Sequence, residues 1–127
     1  MSNALLQEAF PEMQTEIKQA QRLTQQGDLI QAEEIYHTVL KQQVNFPPAL
    51  YGLAGLAEKI DEQEVQEDLL RRAIAQIKDS DDRNKKGLEA IWLTELAEIL
   101  IKQGRQNDAK QCINESERVI RENLTKD

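Results

Sequence analysis

Apolar residues recur every three or four positions along most of the chain, which is the spacing of amphipathic helices rather than of strands. Polar or Gly/Pro breaks divide this pattern into six segments. We predict helices that run from Pro11 to Gly27, over about 28–44, from Pro47 onward, and over about 62–79, 85–103 and 107–123. The chain is rich in helix-forming Gln, Glu, Leu, Ala and Lys, and it lacks β-branched or aromatic runs. The pattern therefore predicts an all-α protein.

The helix ends carry recognisable signals. Asp28 and Asp61 each precede a periodic segment and are predicted to cap the second and fourth helices. Gly27 and Gly104 follow periodic segments and are predicted to end the first and fifth helices. The connections are short, so consecutive helices are expected to lie antiparallel.

The turns also show a repeat. The spacing Gly27-x4-Ala32 recurs as Gly104-x4-Ala109. The two glycines lie 77 residues apart, which leaves 34 residues from Gly27 to the break at Asp61 and 43 from there to Gly104. The nine extra residues coincide with the polar stretch at 81–89, so that stretch is predicted to be an insertion between the second and third units.

At this register the chain resembles the tetratricopeptide repeat family, whose period is about 34 residues. The matching residues are Ala20, Leu23, Gly27, Ala32 and Tyr36 in the first repeat, Leu50, Leu53, Ala54, Ala57, Leu70 and Ala73 in the second, and Leu93, Leu96, Ala97, Leu100, Gly104, Ala109 and Ile113 in the third. The departures are Glu16 and Gln19 at apolar positions of the first repeat, Asp61 at the turn glycine, and Gln66 and Ser116 at alanine positions. The proline expected near the end of each repeat is missing throughout.

The resemblance implies a right-handed α-solenoid of three stacked antiparallel helix pairs. It covers a single domain at 11–123, with repeats at about 13–46, 47–80 and 90–123 and the insertion at about 81–89. Residues 1–10 are interpreted as an N-terminal extension, and Ser2-Asn3-Ala4 within it is similar to a cloning remnant.

The formal net charge of −7 disfavours a nucleic acid partner, because phosphate binding requires clustered positive charge. No apolar run approaches the ~20 residues that span a bilayer, and no signal-peptide pattern is present, so we expect a cytoplasmic protein without a membrane partner. The single cysteine excludes an internal disulfide.

Residues with chemical potential are few. His37 lies four residues after Glu33 and next to Tyr36, but a metal site needs further convergent ligands, so we do not expect one here. From their positions in the repeat, we interpret His37 as solvent-facing and Tyr36 as core. Cys112 takes a core position in the repeat. Trp92 is expected to pack on the insertion, with a partly exposed partner anchor as the alternative. We predict no catalytic residue, no metal and no cofactor.

The family's interaction surface is the concave groove formed by the first helix of each pair. The resemblance places on it Ile17, Gln21, Thr24, Tyr51, Gly55, Glu58, Ile91, Thr94, Glu98 and Ile101, together with Gln14 and Pro48. The family's best-known groove site binds a C-terminal carboxylate and has Lys and Asn where this chain has Ile17 and Gln21. A ligand with such a carboxylate is therefore not expected. Gly55 either leaves room for a ligand or is neutral, and Gly52 is expected to allow close packing.

The resulting hypothesis is a non-catalytic module that binds a peptide or helix of a partner protein in this groove. The alternative is a structural, oligomerising or scaffolding segment of a larger protein, with homodimer formation as one form of it.

Overall fold

The computed structural model describes residues 2–125, with side chains from Ala4 onward, and confirms the all-α prediction. Met1, in the predicted N-terminal extension, lies outside the described residues. Within the described range there is no strand, and the helices are α1 (Ser2–Ala9), α2 (Gln14–Gln25), α3 (Leu29–Gln42), α4 (Pro47–Lys59), α5 (Gln63–Ile77), α6 (Arg83–Lys102) and α7 (Gln106–Asn123).

The six predicted segments correspond to α2–α7, whereas α1 was not predicted. Most of the stretch 81–89, predicted as an insertion, is helical, because α6 already begins at Arg83. Its start is set by Asp82, whose carboxylate accepts a hydrogen bond from the Lys85 backbone N–H at 3.0 Å. The carboxylate therefore satisfies one of the N–H groups that a helix start leaves without an intrahelical acceptor.

Three turns share one backbone geometry. Gly27, Asp61 and Gly104 have φ values of 84°, 60° and 77°. The residue after each of them donates its N–H to the carbonyl five residues earlier, at 2.8, 2.9 and 2.9 Å. This is the Schellman motif that ends a helix in a left-handed residue. The predicted turn positions are thereby confirmed.

Two predicted caps were wrong in detail. Asp61 does not cap α5, because it is the left-handed residue that ends α4. Asp28 is the N-cap residue of α3, but its side chain makes no capping hydrogen bond. In both cases the backbone hydrogen bonds of the turn satisfy carbonyls at the end of the preceding helix.

The chain divides into two compact units. We call Phe10–Gln76 the central unit, which contains α2–α4 and nearly all of α5. The terminal unit consists of the residues up to Ala9 and those from Ile77 onward, and it contains α1, α6 and α7. The three-repeat single domain and its right-handed stacking remain predictions.

The central unit is held by apolar and aromatic packing. Tyr36 is buried, as predicted, and its ring lies against Gly52, where a Cβ atom would overlap the ring. The absence of a side chain at position 52 therefore lets α3 and α4 approach closely. Phe10 and Phe46 add an edge-to-face contact with ring centroids 5.7 Å apart.

The terminal unit combines apolar packing with buried polar contacts. Trp92 is completely buried, which rules out the partly exposed anchor, and Cys112 is buried as predicted. Helix α1 packs on α6 and buries Leu6, so the predicted extension contributes to the core. The buried Ser116 hydroxyl donates to the Ala90 carbonyl at 2.9 Å.

Candidate functional site

The central unit contains an open, mainly apolar pocket of about 490 Å³. Helices α3, α4 and α5 enclose it, and it lies wholly within this one unit. The residues that line it are Leu29, Ile30, Glu33, His37, Leu53, Leu56, Ala57, Ile60, Glu62, Val65 and Leu69.

The floor of the pocket is buried and its rim is exposed. Leu53, Leu56 and Ala57 of α4 belong to the hydrophobic core. At the rim, Ile30 is 74% exposed, Ile60 59% and Val65 45%. Isolated exposed apolar residues are ordinary, but apolar residues gathered around one concavity indicate a binding surface.

The three rim residues are not required by the helix-turn-helix geometry, as the repeated turns show. Ile60 comes directly before the left-handed residue of its turn, and the residues directly before the other two left-handed residues are Gln26 and Gln103.

The same comparison applies to the other two rim residues. Ile30 is the third residue after the left-handed residue of its turn, and the third residues of the other two turns are Glu64 and Asn107. Val65 is the fourth residue after the left-handed residue of its turn, and the fourth residues of the other two turns are Gln31 and Asp108. Because the same backbone turn forms with polar residues at all three places, the apolar choice around this pocket needs another explanation.

Polar groups at the pocket are confined to Glu33, His37 and Glu62. The His37 Nε2 atom lies 3.7 Å from Glu33 Oε2, and both side chains are more than half exposed. His37 is therefore solvent-facing, as predicted. Its position on the rim of an apolar pocket was not predicted.

The predicted groove residues are divided between the two units. Ile17, Gln21, Thr24, Tyr51, Gly55 and Glu58 belong to the central unit, and Ile91, Thr94, Glu98 and Ile101 belong to the terminal unit. Ile17 is buried, so its prediction as a surface contact was wrong: it packs as core. Glu58, Thr94, Glu98 and Ile101 are exposed, and the remaining five are half-buried.

The groove residues Thr24 and Thr94 hold internal hydrogen bonds. The Thr24 hydroxyl donates to the Ala20 carbonyl at 2.8 Å and also interacts with the Tyr36 hydroxyl. Burial raises the pKa of Tyr36 to about 12, and this hydrogen bond opposes the shift. The Thr94 hydroxyl lies 3.2 Å from that of Ser116.

Gly55 remains the best of the predicted groove positions. A Cβ atom placed there would meet nothing within 4 Å, so the surface beside Tyr51 has free space. This agrees with the predicted room for a ligand, although free space by itself also suits a neutral position.

Within residues 2–125, no group of three or more His, Cys, Asp or Glu side chains is arranged to hold a metal ion. Over the same range, none of the helices is both long and apolar enough to cross a membrane.

Compared with known proteins, the chain matches no protein-family model and no curated protein sequence.

The α3–α5 pocket is the part of the site that the sequence interpretation missed. A signal for it was present, because Ile30, Ile60 and Val65 depart from the polar residues of the equivalent turn positions. That signal becomes visible only when the turns are aligned on their left-handed residues, and the sequence does not show that α4 brings the three together.

Proposed function

We propose that this protein is a non-catalytic interaction module that binds a helical segment of a partner protein. The observation that carries the proposal is the α3–α5 pocket, with its buried floor and its three exposed apolar rim residues. The resemblance to tetratricopeptide repeats supports the same class of function. The cytoplasm, expected from the sequence, is the compartment we propose for it.

A helix suits the pocket better than a small molecule does. Small-molecule sites enclose most of their ligand and place a few polar groups inside. Here the rim is open to solvent, and the three polar side chains share the lining with eight apolar ones. Such a surface accepts the apolar face of an amphipathic helix, which presents anchors at i, i+3 or i+4, and i+7.

The experiment is a display selection of helical peptides against the purified protein, followed by fluorescence anisotropy on the selected peptides. Ile30→Gln and Ile60→Gln should each weaken binding about tenfold or more, because an apolar side chain loses its burial against the partner. Val44→Gln is the matched control, since Val44 is 80% exposed and lies outside both the pocket lining and the predicted groove.

The same assay compares the pocket with the predicted groove. Tyr51→Ala and Glu98→Lys alter the groove and leave the pocket lining intact. If these two variants lose binding while Ile30→Gln and Ile60→Gln retain it, the site is the groove. If selection yields no peptide whose binding depends on any of these residues, the proposed function is wrong.

Self-association is the second candidate. Ile113 and Ile120 are exposed on α7 and lie seven residues apart, hence on one face of the helix. A homodimer through this face predicts a doubled mass in sedimentation at micromolar concentration, and a monomer after Ile113→Gln with Ile120→Gln. A wild-type monomer under these conditions would exclude it.

A further inference from the structure

We propose that the partner segment is a cationic amphipathic helix, whose apolar residues enter the α3–α5 pocket while its Lys or Arg residues face Glu33 and Glu62. This rests on the proposed function and specifies the chemistry of the partner. It assigns the recognition surface to α3, α4 and α5, so that α4 is the one first helix of a predicted repeat that takes part in it.

The charge of the pocket favours such a partner. Glu33 and Glu62 line it, and no Lys or Arg belongs to the lining. The turn that joins α4 to α5 extends the acidic character, because the stretch 58–64 holds four carboxylates and one lysine. The central unit as a whole has eleven Asp or Glu and six Lys or Arg, so it carries a formal charge of −5 out of the total −7.

Within residues 2–125, neither pocket carboxylate pairs with a Lys or Arg, and the basic group nearest to Glu33 is the His37 imidazole at 3.7 Å. Many other helix carboxylates are paired: Glu67 with Arg71, Glu89 with Lys86 and Glu115 with Arg118. In contrast, the described residues place neither Glu33 nor Glu62 within ion-pair distance of a Lys or Arg. The residue one helical turn after Glu33 is His37, and the one after Glu62 is Gln66.

The geometry of the lining separates apolar from acidic contacts. Buried α4 residues form the floor, α3 supplies one side with Glu33, and α5 supplies the other, with Glu62 in the turn directly before it. A helix lying between α3 and α5 would therefore bury one face and hold its flanks near carboxylates on both sides. An apolar segment without charge, or an acidic one, would leave these carboxylates without a partner.

The test uses three synthetic 15-residue helical peptides with the same Leu face and with Lys, Gln or Glu on the flanks. Binding to the intact protein is measured by anisotropy and by amide shifts in two-dimensional NMR. The Lys peptide should bind about tenfold more tightly than the Gln peptide at low salt, and the Glu peptide least tightly. At high salt the affinities should converge, because exposed charges are screened.

Carboxylate variants locate the effect. Glu33→Gln and Glu62→Gln should each weaken the Lys peptide about threefold and leave the Gln peptide unchanged. Glu117→Gln is the matched control, since Glu117 is an exposed carboxylate outside both the pocket lining and the predicted groove. An equal loss in the control would show that general charge attraction, and not the pocket, selects the peptide, which would overturn the proposal.

The outcomes separate this proposal from the proposed function. If all three peptides bind equally at the pocket, the cationic preference is wrong and the interaction module stands. If none of them shifts pocket amides and display selection also fails, the proposed function fails as well. Binding of the Lys peptide with amide shifts confined to the terminal unit would overturn the assignment of the site.

Discussion

The central and terminal units share one helix-turn-helix geometry but use different chemistry to hold it. In the terminal unit, Lys86 is largely buried and donates both to Glu89 Oε1 at 3.1 Å and to the Lys78 carbonyl at 2.7 Å. In the central unit, aromatic rings fill the corresponding role, and three apolar side chains remain exposed around a pocket. The backbone motif therefore leaves the packing chemistry open.

The two kinds of packing leave different groups available at the surface. Buried polar groups must be hydrogen-bonded, so the polar contacts of the terminal unit are committed to its own fold. The exposed Ile30, Ile60 and Val65 have no such commitment, and covering them would release water from apolar surface. We accordingly propose that the terminal unit has a mainly structural role and that the central unit binds the partner.

The largest effect should come from opening the buried ion pair of the terminal unit. Lys86→Met leaves the buried Glu89 carboxylate without its cation, which should lower the free energy of unfolding by about 3 kcal/mol. Urea denaturation measures the loss. The double variant Lys86→Met with Glu89→Leu should regain most of it, because no buried charge remains. Wild-type stability in the single variant would mean that this unit does not depend on its polar core.

A second effect concerns the buried phenol of the central unit. The pKa of Tyr36 is raised to about 12 in the folded state and is near 10 in the unfolded chain. Tyr36 therefore loses its proton first in the unfolded state as the pH rises. The contribution of the protonated side chain to the free energy of unfolding is complete below pH 10 and is lost between pH 10 and about 12. The fall amounts to about 2–3 kcal/mol. Tyr36→Phe should show a shallower decline over that window, and identical pH profiles would contradict the assignment.

A slightly smaller loss should follow from filling the gap beneath the same ring. Gly52→Ala places a Cβ atom within the space of the Tyr36 ring and should destabilise the protein by about 2 kcal/mol. Gly55→Ala on the same helix meets nothing within 4 Å and should be neutral or stabilising by up to about 1 kcal/mol. Thermal unfolding measures both, and equal effects would show that α3 and α4 do not depend on this close contact.

The smallest effects should come from the turns that the two units share. Gly27→Ala and Gly104→Ala should each cost about 1 kcal/mol, because both positions have positive φ. Asp61→Gly should stabilise by about 0.5 kcal/mol, because it relieves the same strain. Urea denaturation of the three variants measures these shifts, and clearly unequal losses at the two glycines would break the equivalence of the turns.

The candidate site was only partly accessible from the sequence. The exposed His37 and the buried Tyr36 and Cys112 followed from their positions in the repeat register that the family resemblance supplies. Ile17 was misplaced, because the family pattern assigns its position to a groove, whereas the local packing of this chain buries it. The sequence did not decide whether Trp92 is buried or partly exposed, since periodicity does not show how far a neighbouring helix extends.

What the sequence by itself determined are the features encoded over short distances: six of the helices, their ends at Gly27 and Gly104, and the helix break at Asp61. Periodicity and turn chemistry act within a few residues, so they can be read along the chain. Only the tertiary structure decided that α1 packs on α6 and that Ile30, Ile60 and Val65 surround one pocket. Those arrangements depend on which helix faces meet, and side chains distant in sequence determine that.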